Sequence, residues 1–400
     1  MAYCGRFAPS PSGRLHWGSL VSGYASYFRA KSQQGRFIVR IEDLDFPRCP
    51  KENTPIVLEE LELLGIKSDC SPIIQSEQLS NYQELLSKLI DSKQAYYCTC
   101  SRAQMKMRPC PCHDQTIQEQ IAKGSLDHVA IRIDLSSYLT HHKSFVDGNL
   151  GIIEQASLDH ELAHSLVLKR ADNIIAYNLA VVLDDHDEHI SEVVRGADML
   201  DATFLQLCLY EILGYQAPSF FHVPLIVDHS GNKLSKQNKA PAVLCANAPH
   251  QALYHTYSLL GQENVAVVFL VHKMDKLYNL LHQVIKQNLQ AAYNQASINE
   301  SQLKLITKLS SHELSNALLS YGYSYLDQAL ELSINDLHRL GDHNYIEPKL
   351  LGYALVEYSQ LDLNYCLPII QEYRILMNEL LSALCKSFKE QNMPHCAIVI

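Results

Sequence analysis

Arg6-Phe7-Ala8-Pro9-Ser10-Pro11-Ser12-Gly13-Arg14-Leu15-His16-Trp17-Gly18-Ser19 is the stretch whose reading decides the fold. Tyr3–Ala8 predicts a short strand and Trp17–Gln34 a helix, with Leu20, Val21, Tyr24, Tyr27 and Phe28 at helical spacing. Two prolines and a glycine force an irregular turn between them. A helix that opens at such a turn gathers unpaired backbone N–H groups and the positive end of its dipole, which suits a polyphosphate. His16 and Ser19 stand at that helix start. The pattern predicts a nucleotide site.

The flanking sequence extends this unit. Arg36–Glu42 is apolar nearly throughout, as an interior parallel strand would be. Glu42, Asp43 and Asp45 then fall at its C-terminal edge, where open α/β sheets place their ligands. Asn53–Ile66 and Gln78–Gln94 predict amphipathic helices, the first closed by Gly65. Next come Tyr96-Tyr97-Cys98-Thr99-Cys100 and Cys110-Pro111-Cys112-His113, which place four cysteines and a histidine within sixteen residues. Thiolates are good tetrahedral Zn²⁺ ligands, so Cys98, Cys100, Cys110 and Cys112 form a candidate structural metal site. His113 competes with Cys110 and Cys112 for the last two places, and free thiols or a redox pair are the alternatives.

Val129–Ile133 and Asp147–Glu154 are expected to complete this insertion (about residues 95–160), with Ser165–Arg170 returning to the main sheet. Ala176-Tyr177-Asn178-Leu179-Ala180 and Val193-Val194-Arg195-Gly196-Ala197-Asp198 follow, then a helix over Met199–Leu213 and a buried strand over Phe220–Val227. The loop Ser230-Gly231-Asn232-Lys233-Leu234-Ser235-Lys236-Gln237 carries two lysines behind a glycine, a form able to close over phosphate charge.

Composition sets the frame. The chain has 400 residues, enough for two or three domains, and 47% are hydrophobic, ample for a large core. No run of eighteen apolar residues occurs, which argues against a membrane helix. Arg6 and Arg14 interrupt any signal-like apolar run. Twelve cysteines without an export signal predict reduced thiols and a cytoplasmic protein. A net charge of −10 excludes indiscriminate nucleic-acid binding but leaves room for a local basic track.

Taken in order, these motifs resemble the class I aminoacyl-tRNA synthetases in their glutamyl form. Pro-Ser-Pro-Ser-Gly-x-Leu-His-x-Gly-Ser matches the family's first signature, and Arg-Ile-Glu-Asp-Leu-Asp (residues 40–45) its second hallmark. Lys233-Leu-Ser-Lys236 matches its lysine loop, with Gln237 in place of the final serine. The resemblance spans roughly residues 1–244 and continues weakly to 298. It implies a Rossmann-like α/β catalytic domain with a zinc-bearing insertion, followed by a mainly α-helical extension. It also implies activation of L-glutamate by ATP and Mg²⁺, followed by transfer to tRNA. His16 and Lys236 would stabilise the transition state, with Gly18, Ser19 and Lys233 at the nucleotide. Arg6, Ala8, Ser10, Glu42, Tyr177 and Arg195 would line the amino-acid pocket, Glu42 holding the ammonium group and Arg195 the side-chain carboxylate. The Cys-x-Cys after a Tyr-Tyr pair likewise resembles the family's zinc knuckle. Lys-Leu-Ser-Lys-Gln-Asn-Lys-Ala-Pro and the lack of a full anticodon-binding region point to the family's truncated branch, whose acceptor is the queuosine base in the tRNA(Asp) anticodon.

Residues 245–298 are expected as a helical remnant and 299–400 as a helical appendage of unknown role. The pattern predicts helices at 303–309, 312–321, 325–332, 350–358 and 369–389. The appendage carries seven Lys or Arg against twelve Asp or Glu, a poor charge for anticodon binding, and is expected instead to make a protein or self-association contact. A compact glutamyl-tRNA synthetase charging the 3′ ribose, or a non-catalytic regulator, are the competing readings.

Overall fold

Alternating apolar strands and amphipathic helices place a parallel sheet at the centre. In the computed structural model, residues 2–107, 110–124, 128–155, 165–231, 233–234, 242–262, 265–294 and 363–399 are described. Strand β1 (Cys4–Phe7) leads through the first loop to helix α1 (Trp17–Ser32) and strand β2 (Arg36–Ile41), the expected strand–helix–strand unit. Helix α2 (Asn53–Leu63), strand β3 (Ile73–Ile74) and helix α3 (Leu79–Asp91) follow. Strand β4 (Ala95–Cys98), helix α4 (Gln115–Lys123) and strand β5 (Ala130–Ile133) build the insertion. A hairpin of β6 (Ser144–Asp147) and β7 (Gly151–Glu154) precedes β8 (Leu166–Lys169), helix α5 (Tyr177–Asp187), β9 (Glu192–Gly196), helix α6 (Leu200–Leu213), β10 (Ser219–Val223) and β11 (Ile226–Val227). Helices α7 (Pro249–Leu259), α8 (Val265–Asn294) and α9 (Leu363–Ser387) lead to β12 (Ile398–Val399).

The main sheet has the order β3-β2-β1-β9-β10-β6-β7, parallel from β3 to β6, with β7 antiparallel at the edge. The chain winds outward from β1 through β2 on one side and through β9 on the other. This reversal opens a crevice at the C-terminal strand edges, the usual ligand position in such sheets. Leu20, Val21, Tyr24, Ala25 and Phe28 of α1 are fully buried in the core that the sheet shares with the C-terminal helices.

Two sequence expectations exchange places. Asp147–Glu154 is not one strand of the insertion: it is cut by a turn at residues 148–150, and its hairpin joins the main sheet through β6 and β10. Ser165–Arg170 does not return to the main sheet, because β8 pairs antiparallel with β5 in the small β4-β5-β8 sheet. Four-residue strands carry too little periodicity to name their neighbours. The predicted strand Phe220–Val227 is likewise broken, at Pro224 and Leu225, into β10 and β11.

The tail is described only at its end. The helices expected at 303–309, 312–321, 325–332 and 350–358 lie outside the described residues. Helix α9, which contains most of the expected 369–389 helix, lays Ile370, Tyr373, Met377, Leu380 and Leu384 into the core shared with α1, α7 and α8. Its apolar face is covered by this chain itself. Past it, β12 pairs in parallel with β11, and the Ile398 N–H donates to the Leu225 carbonyl (2.8 Å). At Gly261, with φ +73°, a Cβ would lie 2.1 Å from the Asn392 carbonyl oxygen, so only glycine lets the returning segment seat. Among the described residues no helix is long and apolar enough to cross a membrane.

Candidate active site

The first loop is fixed before it meets any ligand. The Pro9 carbonyl accepts from the Glu42 N–H (3.1 Å) and the Pro11 carbonyl from Asn53 Nδ2 (2.9 Å). Glu60, buried on α2, takes the Leu15 N–H (2.7 Å) and pairs with Arg14 (3.0 Å). The loop therefore delivers His16 to the start of α1, where His16 is the N-cap and its Nδ1 accepts from the Ser19 N–H (3.3 Å). That bond places the ring proton on Nε2, a donor. Gly18 leaves room beside it: a Cβ there would approach the imidazole to 3.1 Å and press on the ring.

These residues rim a cavity of about 1250 Å³ over the sheet's C-terminal edge. Arg6, Ala8, Ser10, His16, Gly18, Ser19, Glu42, Tyr177, Arg195 and Lys233 all line it. Lys236 lies outside the described residues. Lys233 pairs with Asp198, and the Leu234 N–H returns to the Ile226 carbonyl (2.8 Å), so the near arm of the lysine loop is held at the cavity mouth by β11.

Arg6 and Glu42 in the cavity lining join a buried ionic lattice whose other members, Arg40, Asp184, Asp185 and Glu188, sequence reading did not anticipate. Arg40, with no exposure, binds Asp185 and Glu188 (2.7 Å each) and lies 3.7 Å from Asp184 and Glu42. Arg6 Nε reaches Asp185 (3.1 Å), while Tyr82 (2.8 Å) and Gln75 (2.6 Å) donate to Asp184. Four carboxylates thus share two guanidinium groups. Burial, against the pull of Arg40 and Arg6, pushes Glu42 up to about 7, and Glu188 beside Arg40 is likewise raised to about 7. An arriving ammonium group would restore the missing positive charge at Glu42. The signal was present: Arg40 interrupts the strand Phe-Ile-Val-Arg-Ile, and Asp184-Asp185 interrupts an apolar helix.

Across the cavity, Arg195 at the end of β9 is 6% exposed and is gripped on several sides. It donates to Thr203 (2.8 Å), the Met199 carbonyl (3.5 Å), His222 Nε2 (3.2 Å) and the Tyr177 hydroxyl (3.3 Å). Tyr177 opens α5 and stands in the wall. A guanidinium and the Glu42 carboxylate lining one cavity can hold an amino acid at both ends.

The cysteine cluster sits apart from this cavity, and none of its thiols lines it. Cys98, Cys100, Cys110 and Cys112 place their Sγ atoms within 4.8 Å of one another, with contacts of 3.6, 3.6 and 3.8 Å. Tetrahedral Zn–S bonds of about 2.3 Å require sulfurs about 3.8 Å apart, so the set fits zinc. His113, the competing ligand, packs its ring on Tyr96 at 4.0 Å. Gln118 of α4 donates to the Tyr97 and Cys112 carbonyls (2.6 Å each), tying the knuckle to the small sheet. Among the described residues every cysteine is unbridged.

Residues 4–261 match the family of class I tRNA synthetases (E and Q), catalytic domain. The chain belongs to this family. Its relatives include the glutamyl-Q tRNA(Asp) synthetase of Vibrio parahaemolyticus, 42% identical over 65% of this chain and 84% of the relative. The same-named protein of Escherichia coli K12 is 40% identical over 65% of this chain and 82% of the relative. Among solved structures, a glutamate tRNA ligase from Elizabethkingia meningosepticum superposes with a TM-score of 0.57 at 19% identity, covering 97% of this chain and 100% of that one, which bears on the fold alone. The synthetase's matched region ends within the turn after α7, so α8, α9 and β12 lie beyond the family model.

Proposed function

We propose that this synthetase activates L-glutamate with ATP and transfers it to the queuosine base of tRNA(Asp). The observation that carries the reading is one cavity lined by Arg195, Tyr177 and Glu42 together with His16, Gly18 and Ser19 at the N-terminus of α1. Its likeness to glutamyl-Q tRNA(Asp) synthetases over most of their length supports the acceptor.

In the first step a glutamate α-carboxylate oxygen attacks the α-phosphorus of ATP. The bond to the bridging oxygen breaks, giving glutamyl-adenylate and pyrophosphate. Glu42 holds the ammonium group, Arg195 and Tyr177 the side-chain carboxylate, and Arg6, Ala8 and Ser10 complete the pocket. His16 Nε2–H, Ser19 and the α1 terminus receive the phosphate charge, with Gly18 allowing the nucleotide close to the backbone. Lys233 and Lys236 add cations from the loop, and Mg²⁺ accompanies the triphosphate. Catalysis is thus positioning plus electrostatic stabilisation. In the second step a hydroxyl of the queuosine ring attacks the acyl carbon, and AMP leaves. Zn²⁺ at Cys98, Cys100, Cys110 and Cys112 supplies a structural cross-link and no step of the reaction.

Transfer of radiolabelled glutamate to tRNA(Asp) with and without queuosine, followed by nuclease mapping, tests this. Label in the anticodon fragment only when queuosine is present is the expected result. Label at the 3′ end would make the chain a compact glutamyl-tRNA synthetase instead.

A further inference from the structure

Arg195 differs from its neighbours in how it is held. Arg6 and Arg40 are paired directly with carboxylates, whereas the ion pairs among the described residues include none for Arg195. Its Nε instead meets an imidazole. His222 on β10 and Asp147 at the end of β6 are both wholly buried, with His222 Nδ1 2.6 Å from Asp147 Oδ2. Asp147 also accepts from the backbone N–H groups of Asn149 (3.0 Å), Leu150 (2.9 Å) and His222 (3.1 Å).

We infer that Asp147 and His222 are positioning residues that orient Arg195 toward a carboxylate side chain while leaving its charge unspent. This deepens the reading of Arg195 proposed above and rests on it.

The proton inventory carries the argument. Every contact to Asp147 is a donor, so its carboxylate is the acceptor and His222 Nδ1 carries the hydrogen. Burial would raise the Asp147 carboxyl, but the bond from His222 and the backbone donors outweigh it and hold it below its ordinary value. Burial also holds His222 below its ordinary value, against the pull of Asp147, which keeps the ring neutral. Nε2 then presents a lone pair to Arg195 Nε at 3.2 Å. Thr203 Oγ1, 3.3 Å from the same nitrogen, spends its own hydrogen on the Met199 carbonyl (3.2 Å).

A carboxylate in the place of His222 would fix the guanidinium equally well. It would also neutralise Arg195 and compete with the substrate for it. A neutral imidazole avoids this, and the charge that orients it sits one residue further back, among backbone N–H groups. The device suits selection of glutamate over glutamine, since an uncancelled guanidinium favours an anion over an amide.

Asp147→Asn tests it, because the new amide donates to His222 Nδ1 and forces the proton onto Nε2, where it confronts the Arg195 N–H. In glutamate-dependent ATP–pyrophosphate exchange, the glutamate KM should rise roughly tenfold to hundredfold. The ATP KM and kcat should stay within about threefold, and preference over glutamine should fall. The ¹⁵N spectrum of the imidazole, assigned against His222→Gln, should show Nδ1–H in the wild type and Nε2–H in the variant. An unchanged glutamate KM in a folded variant, or an Nε2–H wild-type ring, overturns the inference. Should Asp147→Asn not fold, His222→Gln and His222→Leu decide: the Gln carbonyl can accept from Arg195 and should restore most of the affinity that Leu loses, and equal losses overturn the inference. No glutamate-dependent exchange in the wild type would instead remove the proposed function, while the tautomer measurement still stands by itself.

Discussion

The two ends of the cavity are built by opposite means. At the proposed amino-acid end, Arg6, Arg40, Glu42, Asp184 and Asp185 interlock with side chains no more than 9% exposed. At the proposed phosphate end, the His16 ring caps α1 through a 3.3 Å bond, and Lys233 makes an ion pair whose members are 41% and 35% exposed. A buried ionic lattice cannot rearrange without stranding a charge, so it suits selection of a small substrate. An exposed lysine on a loop can follow the phosphates as their charge changes.

The largest expected effect breaks the rigid end. Arg40→Ala removes the cation that Asp184, Asp185 and Glu188 share, and should cost about 3–5 kcal/mol in denaturant unfolding. His16→Ala tests the other end: the exchange rate should fall roughly hundredfold while the glutamate KM barely moves, since the interaction belongs to the transition state. A comparable rise in the glutamate KM would mean that the two ends are not separable.

The pH profile sharpens the contrast. Glu42, raised to about 7 chiefly by burial, would in the proposed role hold an ammonium group only when ionised. Substrate lowers its pKa in the complex, so affinity is full above pH 7 and falls as pH drops through it. The glutamate KM should rise up to about tenfold per unit below 7, and Glu42→Gln should flatten the profile, separating it from Glu188. The smallest effect belongs to Lys233→Ala, which should leave stability within about 0.5 kcal/mol by calorimetry, because its partner is exposed.

Much of this was legible in the sequence because the chemistry sits in short segments at strand ends and a helix start. His16, Ser19 and Glu42 could be placed from local order, Tyr177 and Arg195 only through the family resemblance, and the structure gathers all five in one cavity. Asp147 and His222 could not, since their meeting depends on β6 lying beside β10, a pairing that no local pattern encodes. A histidine inside the apolar run Phe-Phe-His-Val-Pro-Leu-Ile-Val was the available hint. For the tail, amphipathic spacing announced that α9 buries a face but not which surface receives it.

The pairing of β12 with β11 also bears on the order in which the molecule assembles. It joins two-residue strands far apart along the chain, so the entropy of closing that long connection must be met first by packing α7, α8 and α9. The strand leading into the lysine loop therefore gains its partner late in folding. The β1–α1–β2 unit, closed by short connections, is free to form early. In a refolding time course, amide protection at Ile398 should trail protection at Ile38, and glutamate binding should return before the lysine loop is anchored.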